Sequence, residues 1–469
     1  MKVMKVGLAT GLNPLPALVL KAALLAEASF AGECIDIEES AVEARLDAPD
    51  ARTALADKKI AAFLAADELD RAGCDALLIP DASLQEFLPE IQKEIQTPIV
   101  SIYAGVSEAA KAAGVRKIGV MGTALPEDFF RTLSSDVEWI FPTDAEREVF
   151  SVIQSRETGL RRCGLTEAHR QRLHEMADAL RARGAELLVP NCTQIARFAP
   201  ELCREMPILN VLRLAAEKVI RSTPPKLKKP FKVGLIGGLG PAATVDLYDK
   251  IVKATPAKID QEHIKLVVEQ NPQIPDRTAA LLHGGEDPTI ALYNCAKRLE
   301  KDGCDAIIVP CNTAHAFVPY LERHLGIPFI NMQQTALDEI ARKLGETARI
   351  GLLATSGTVQ TGIYSEKAQS MGLPMFVPDR AHQERVMASI YGPKGAKAGY
   401  TDGICKEDLL SAAKYLVEEY DCNCLILGCT ELPLILDESD DFEIAGKRVM
   451  VIDPTASLAR KVVKEASGA

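Results

Sequence analysis

The sequence predicts an α/β protein of two tandem domains, each built from two pseudo-symmetric parallel-sheet α/β subdomains with a cleft between them. Three observations predict it. First, RAGCDALLIPDASLQEFLPEIQKEIQTPIVSI, from Arg71, lies without a gap over KDGCDAIIVPCNTAHAFVPYLERHLGIPFINM, from Lys301. KVGLATGLNP from Lys5 likewise matches KVGLIGGLGP from Lys232, IGVMGT matches IGLLAT, and LLVPNCT matches LILGCT. Self-similarity in this order is a tandem duplication. Second, apolar runs of five or six residues (KVGLI, AIIVP, RIGLLA, CLILG) alternate with amphipathic stretches such as PTIALYNCAKRLEKDG and EDLLSAAKYLVEEYD. Continuous apolar strands between helices indicate parallel sheets covered on both faces. Third, TPPKLKKP, residues 223–230, is rich in proline and lysine and poor in apolar side chains. It reads as a linker.

The elements follow in order. Residues 1–222 form the first copy, 223–230 the linker and 231–469 the second copy. Inside the second copy the rhythm divides again, at roughly 231 to 335 and 347 to 460, with Cys311 ending a strand of the first half and Cys429 ending a strand of the second. Ligand sites in open parallel sheets gather at the carboxyl ends of strands. Two facing halves therefore bring both cysteines to one cleft.

Composition narrows the partners. Among 469 residues, 47% are hydrophobic and 25% charged, with a net charge of −11. That balance argues against nucleic acid or an anionic membrane surface. The apolar opening segment is interrupted by Lys21 and Glu27 and carries Pro14 and Pro16, so it is read as strand, turn and helix rather than as a secretory signal. Twelve cysteines, several inside apolar runs, suit reduced thiols and a cytoplasmic location. Cys34, Cys74, Cys163, Cys203, Cys295, Cys304, Cys405 and Cys422 are expected to be small core hydrophobes.

Cys311 and Cys429 differ, because each sits just past a strand inside a matching motif. A thiolate is a good base. Two thiols on opposite faces of a carbon can remove a proton from one side and deliver one from the other, inverting a stereocentre without a cofactor. The α-proton of an amino acid is so weakly acidic that the site must grip the carboxylate and stabilise the developing charge. Arg277 in the proline-bounded NPQIPDRTAA suits a bidentate clamp, and Lys397 stands between small residues in GAKAGY. Asn312, Thr313 and Thr430 adjoin the thiols, and GGLGPAATVD opens a helix whose amides suit an anion.

GGLGPAATVDLY, NPQIPDRT, PCNTAH, IYGPKGAKAGY and GCTELPLI, in this order, resemble the cofactor-independent aspartate/glutamate racemase superfamily, its aspartate racemase branch most of all. The resemblance covers nearly all of 231–469. It implies a site between two α/β subdomains, with Cys311 and Cys429 as the two acid/base residues. It also implies Arg277 and Lys397 at the substrate carboxylates, Asn312, Thr313 and Thr430 as polar lining, and neither pyridoxal phosphate nor metal. An acidic amino acid, most of all aspartate, is the expected substrate. Glutamate or a broader range of amino acids is the enzymatic alternative, and a non-catalytic acidic-metabolite-binding protein is the alternative of another class. The tandem arrangement imitates a family dimer within one chain, which admits a monomer or a homodimer.

The first copy departs from the pattern. Asp81 stands where the second copy has Cys311, while Cys192 and Thr193 keep the other motif and Gln194 replaces Glu431. Arg52 and Arg161 fall near the places of Arg277 and Lys397. A decayed scaffold and an altered Asp81/Cys192 site both stay open. His315 either polarises the Cys311 thiol or caps a helix turn. Strand alternation accounts for Cys422, Cys424 and Cys429 without a metal. The glycines Gly238 and Gly240 suit a substrate-anion loop better than a dinucleotide, since Ala243 replaces the third glycine.

Overall fold

Strands β1 (Met4–Ala9), β2 (Ile35–Ser40), β3 (Ala76–Leu78) and β4 (Ile99–Val100) form a parallel sheet in the order β2-β1-β3-β4. A second parallel sheet, β6-β5-β7, uses β5 (Lys117–Gly122), β6 (Glu138–Ile140) and β7 (Leu187–Asn191). The computed structural model describes residues 3–468 other than 46 and 156. It divides the chain into two units, Met1–Lys229 and Pro230–Ala469.

In the second unit, β8 (Lys232–Gly237), β9 (Lys265–Gln270) and β10 (Ala306–Ile308) form a parallel sheet in the order β10-β8-β9. The other sheet has β11 (Ile350–Ala354), β12 (Met375–Phe376), β13 (Cys424–Gly428), β14 (Ser439–Ile444) and β15 (Lys447–Ile452), in the order β12-β11-β13-β15-β14. All its pairings are parallel except the terminal hairpin β14/β15. Every residue of β10, β11 and β13 is buried, as continuous apolar runs require.

The duplication is repeated bond for bond. Lys5 N–H donates to Asp75 Oδ2 (2.9 Å) and Lys232 N–H to Asp305 Oδ2 (2.8 Å), tying the first strand of each unit to the turn before the third. Leu77 N–H donates to the Pro98 carbonyl and Ile307 N–H to the Pro328 carbonyl, both at 2.9 Å. The helix Pro14–Ala31 is, by length and apolarity, a candidate membrane span. It lies against the helix Val211–Ser222, and its Ala17, Leu20 and Leu24 join Val6 and Leu8 of β1 in one core.

One helix crosses between the halves, and one expectation needs correction. Leu458, Ala459 and Val462 of the helix Pro454–Ser467 pack with Val233, Leu235, Leu247 and Ile251, covering the sheet of the first half. In the other unit, Val211–Ser222 lies against the helix Pro14–Ala31, and its apolar face shares a core with Val6 and Leu8 of β1 and with Ile118, Val120 and Val189 of the second sheet. Hydrophobic periodicity marks the buried face of a helix but carries no information about which sheet receives it. Among the cysteines expected in the core, Cys34, Cys163 and Cys203 are exposed. Each lies at the C-terminal end of a helix or in the turn beyond it rather than in a strand, so no apolar layer covers it.

Candidate active site

Strand β10 leaves its sheet at Ile308, and Cys311 follows within three residues; β13 ends at Gly428, and Cys429 is next. Both thiols line one narrow cleft, with Leu239, Asp276, Arg277, Thr278, Asn312, Thr313, Thr355, Tyr391, Lys397, Thr430 and Glu431. All seven residues singled out from sequence are therefore gathered there. Cys311 and Cys429 are 7% and 6% exposed, so the cleft reaches both to a similar extent.

Arg277 is a buried cation held by backbone. It is the first residue of a helix capped by Asp276, whose carboxylate accepts from Ala279 N–H at 2.7 Å. Its Nη1 donates to the carbonyls of Pro275 (3.0 Å) and Ile274 (3.4 Å), and its Nη2 to that of Leu239 (2.9 Å). Nε is buried and has no hydrogen-bond partner. Burial works against the charge, but the nearby Cys311 sulfur, Asp276 and Tyr391 together outweigh it and the guanidinium pKa is raised. Asn312 presents a second open donor. Its Oδ1 accepts from Tyr364 O–H at 2.7 Å, while its Nδ2 is buried without a partner. Leaving two buried donors unmade is costly unless a ligand acceptor completes them. A carboxylate supplies such oxygens.

Beside Cys429 the charge is compensated internally. Glu431, 4% exposed, accepts from Lys397 Nζ at 2.7 Å through Oε1. Its Oε2 accepts from the Cys429 S–H at 3.0 Å and from Thr430 O–H at 3.3 Å. Lys397 reaches in from a loop whose Gly399 and Gly403 have positive φ, its ammonium 5.4 Å from the Tyr391 ring centroid. Burial opposes its charge, and Glu431, together with Cys429 and Tyr391, more than offsets that, raising its pKa. Burial, with Glu431 beside it, pushes the Cys429 thiol well above the usual thiol range. Burial likewise pushes Tyr391 up to about 12, so it is a neutral phenol in the cleft wall.

The loop before the helix Pro241–Ala254 explains its glycines. Gly240 has φ 130°, and a Cβ there would stand 2.4 Å from Glu431 Oε1. The Glu431 carboxylate thus packs directly against this loop. With a carboxylate already against Gly240, the loop does not fit a dinucleotide pyrophosphate.

Thr313 ties the halves together: its Oγ1 lies 3.2 Å from Thr355 Oγ1 and 2.9 Å from Thr358 Oγ1, both just after β11. His315 does not touch the thiol. Met332 N–H donates to its Nε2 (3.2 Å), so Nδ1 carries the proton and donates to the Cys311 carbonyl (2.9 Å). Burial lowers its pKa to about 4. Among the described residues, no group of three or more His, Cys, Asp or Glu side chains is placed to hold a metal ion. Cys424 faces a different apolar cluster from Cys422 and Cys429.

Sequence reasoning missed Asp276, Thr278, Thr355, Tyr391 and Glu431. Four of the five stand inside the motifs quoted for the resemblance, one or a few residues from a chosen side chain. Thr355 carried a weaker signal, ending the matched IGLLAT run.

The first unit lacks these features. Asp81 accepts from Ser83 N–H (2.9 Å) and Ser83 O–H (2.6 Å), serving as a helix cap. Thr193 Oγ1 accepts from Ala82 N–H (2.7 Å), so the two strand-end loops bond directly to each other. Arg52 and Arg161 are both exposed, unlike Arg277. The sequence alignment that made them clamps matched residue types across loops that have drifted.

Known proteins extend this picture. The family model for Asp/Glu/hydantoin racemases matches residues 28–219 and 236–462. The broad specificity amino-acid racemase RacX of Bacillus subtilis (strain 168) is 24% identical over 241 residues, 49% of this chain and 96% of that protein. A glutamate racemase of Aquifex aeolicus (strain VF5) is 30% identical over 190 residues, 37% of this chain and 64% of that protein. The structure of Picrophilus torridus aspartate racemase aligns with a TM-score of 0.42 and 31% identity, over 50% of this chain and 94% of that one. With the family model matching twice, once in each unit, the chain belongs to the Asp/Glu/hydantoin racemase family.

Proposed function

We propose that the unit Pro230–Ala469 racemises an acidic amino acid, most of all aspartate, without a cofactor, and that the unit Met1–Lys229 is a non-catalytic scaffold. The observation that carries the reading is the placement of two thiols, one from each half of the unit, around a cleft with an open buried guanidinium. In this reading the substrate α-carboxylate completes Arg277 Nε and Asn312 Nδ2. Charge developing on the α-carbon is delocalised into that carboxylate, where the guanidinium stabilises it. One thiolate removes the α-proton and the other thiol supplies a proton to the opposite face. Lys397 and the Gly392–Gly403 loop stand at the second carboxylate.

A broader substrate range is the second reading, favoured by the Lys397–Glu431 ion pair. A side-chain carboxylate meets a cation that is already neutralised, so an acidic side chain gains less there than at a free lysine. Aspartate, glutamate and neutral amino acids, each as both enantiomers, are incubated with the protein in deuterated water without added cofactor. Deuterium at the α-carbon with loss of chirality is expected, fastest for aspartate. Comparable rates for neutral amino acids select the broad reading, and no exchange with any amino acid overturns both.

A further inference from the structure

Glu431 makes the two thiols unequal. The 3.0 Å contact from Cys429 Sγ to Glu431 Oε2 requires a proton between the two atoms, because a thiolate and a carboxylate at that separation, both nearly buried, repel with nothing to bridge them. Oε1 is fixed at the same time by Lys397, and Oε2 also accepts from Thr430. Gly240 leaves the space that this carboxylate fills. Tyr391, neutral, completes the charged and titratable groups around Cys429. Across the cleft, the ionic neighbour of Cys311 is the Arg277 guanidinium, with Asp276 behind it.

We propose that Glu431 is a positioning residue that keeps the proton on Cys429 in the unliganded protein, so that Cys429 begins as the acid and Cys311 as the base. The catalytic meaning of this asymmetry rests on the racemase reading above. In the forward step the Cys311 thiolate forms an S–H bond as the substrate Cα–H bond breaks. The electron pair passes into the α-carboxylate, and Cα then takes the proton of the Cys429 S–H. The product leaves Cys311 as thiol and Cys429 as thiolate, with the negative charge moved beside Lys397. Only the opposite enantiomer can use that form directly. Return to the resting form needs a proton to pass from Cys311 to Cys429 through solvent, and Glu431 biases that exchange.

Racemisation has an equilibrium constant of one, so kcat/KM is equal in both directions and does not report the asymmetry. The thiols themselves do. The full-length wild type and E431Q are treated briefly with iodoacetamide between pH 6 and 10, and modification at each cysteine is followed by peptide mass spectrometry. With both residues buried to a similar extent, alkylation of Cys311 in the wild type is expected to be at least about tenfold faster than that of Cys429 at pH 7.5. E431Q is expected to raise the Cys429 rate at least about tenfold and to leave Cys311 within about twofold. E431D, which keeps the charge, is expected to restore slow labelling of Cys429. Equal rates in the wild type, an unchanged Cys429 in E431Q, or a rise at both thiols together would overturn the proposal. Unequal thiols in a protein that exchanges no α-proton would sink the racemase reading and leave this inference standing.

Discussion

Gln85 in the first unit and His315 in the second occupy matched positions and make the same two bonds. Gln85 Nε2 donates to the Asp81 carbonyl (3.0 Å) and its Oε1 accepts from Ile102 N–H (3.0 Å). His315 donates to the Cys311 carbonyl and accepts from Met332 N–H. An amide reproduces the imidazole because the task is to brace the loop after the third strand, not to move protons. The side chain that this brace carries has changed from thiol to carboxylate, and with it the surroundings. Arg277 is buried behind Cys311, whereas its sequence counterpart Arg52 lies in solvent. The two units thus share a backbone and its bracing, and differ in the charged groups around the strand-exit side chain.

The comparison is broken most directly at the thiols. Cys311→Ser and Cys429→Ser are each expected to lower racemisation by about 10³-fold or more, since in the proposed reaction each removes an acid/base group. Cys192→Ser and Asp81→Asn are expected to leave it within about twofold. Chiral chromatography of the product reads both, and a large loss in Cys192→Ser would move the chemistry to the first unit.

A second contrast is electrostatic. Lys250 Nζ lies 2.5 Å from Asp453 Oδ2, a carboxylate 2% exposed that caps the helix Pro454–Ser467. The first unit has Ala23 and Asn210 at the matching places, and Asn210 caps its helix through Arg213 N–H. Lys250→Ala is expected to cost the second unit about 3 kcal/mol by leaving a buried charge unpaired. The double change Lys250→Ala with Asp453→Asn is expected to regain most of that, because the neutral amide keeps the cap. Denaturant melts followed by circular dichroism test the pair, and no recovery in the double variant would count against the charge as the cause.

The proposed clamp comes next. Arg277→Lys is expected to lower kcat/KM roughly ten- to a hundredfold, the loss of a planar, charge-assisted donor edge. Arg52→Ala and Arg161→Ala are expected to leave it unchanged. Steady-state kinetics on the preferred enantiomer distinguish these outcomes.

The smallest effect sharpens the bracing comparison. His315→Gln is expected to cost less than about 1 kcal/mol at pH 7, because Gln85 already shows that the amide fits. Its signature lies in pH. In the native state His315 stays neutral down to about pH 4, while the unfolded chain takes up that proton near 6.5. The contribution is therefore full above pH 6.5 and lost as pH falls towards 4, up to about 3 kcal/mol. His315→Gln is expected to flatten that slope. An equally steep loss of stability in the variant would assign it to other groups.

The strand-exit cysteines were legible in the sequence because two local signals coincide at them, an apolar run and a repeat of the same motif. Arg277 and Lys397 were legible for a similar reason, each standing inside a proline- or glycine-bounded loop. Glu431 was visible two residues from Cys429, but its pairing with Lys397, 34 positions away, is created by the fold. The threonine contacts of Thr313 with Thr355 and Thr358 span 42 and 45 positions and were hidden for the same reason. Local patterning reports exposure and period, while side-chain partners across halves depend on sheet order. Arg52 and Arg161 show the converse, a residue type retained where the local backbone no longer buries it.

The return of Pro454–Ser467 to the first sheet has a consequence for biosynthesis. At roughly 5–20 residues per second, the stretch between Met332 and this helix takes on the order of 6–25 s to emerge from a ribosome. Through that interval the cover that Leu458, Ala459 and Val462 give to Val233, Leu235, Leu247 and Ile251 is not yet made. The first unit closes with Val211–Ser222, so it can finish folding before most of the second has been translated. A nascent chain therefore passes through two separate windows of incomplete apolar cover, one for each copy, rather than a single long one.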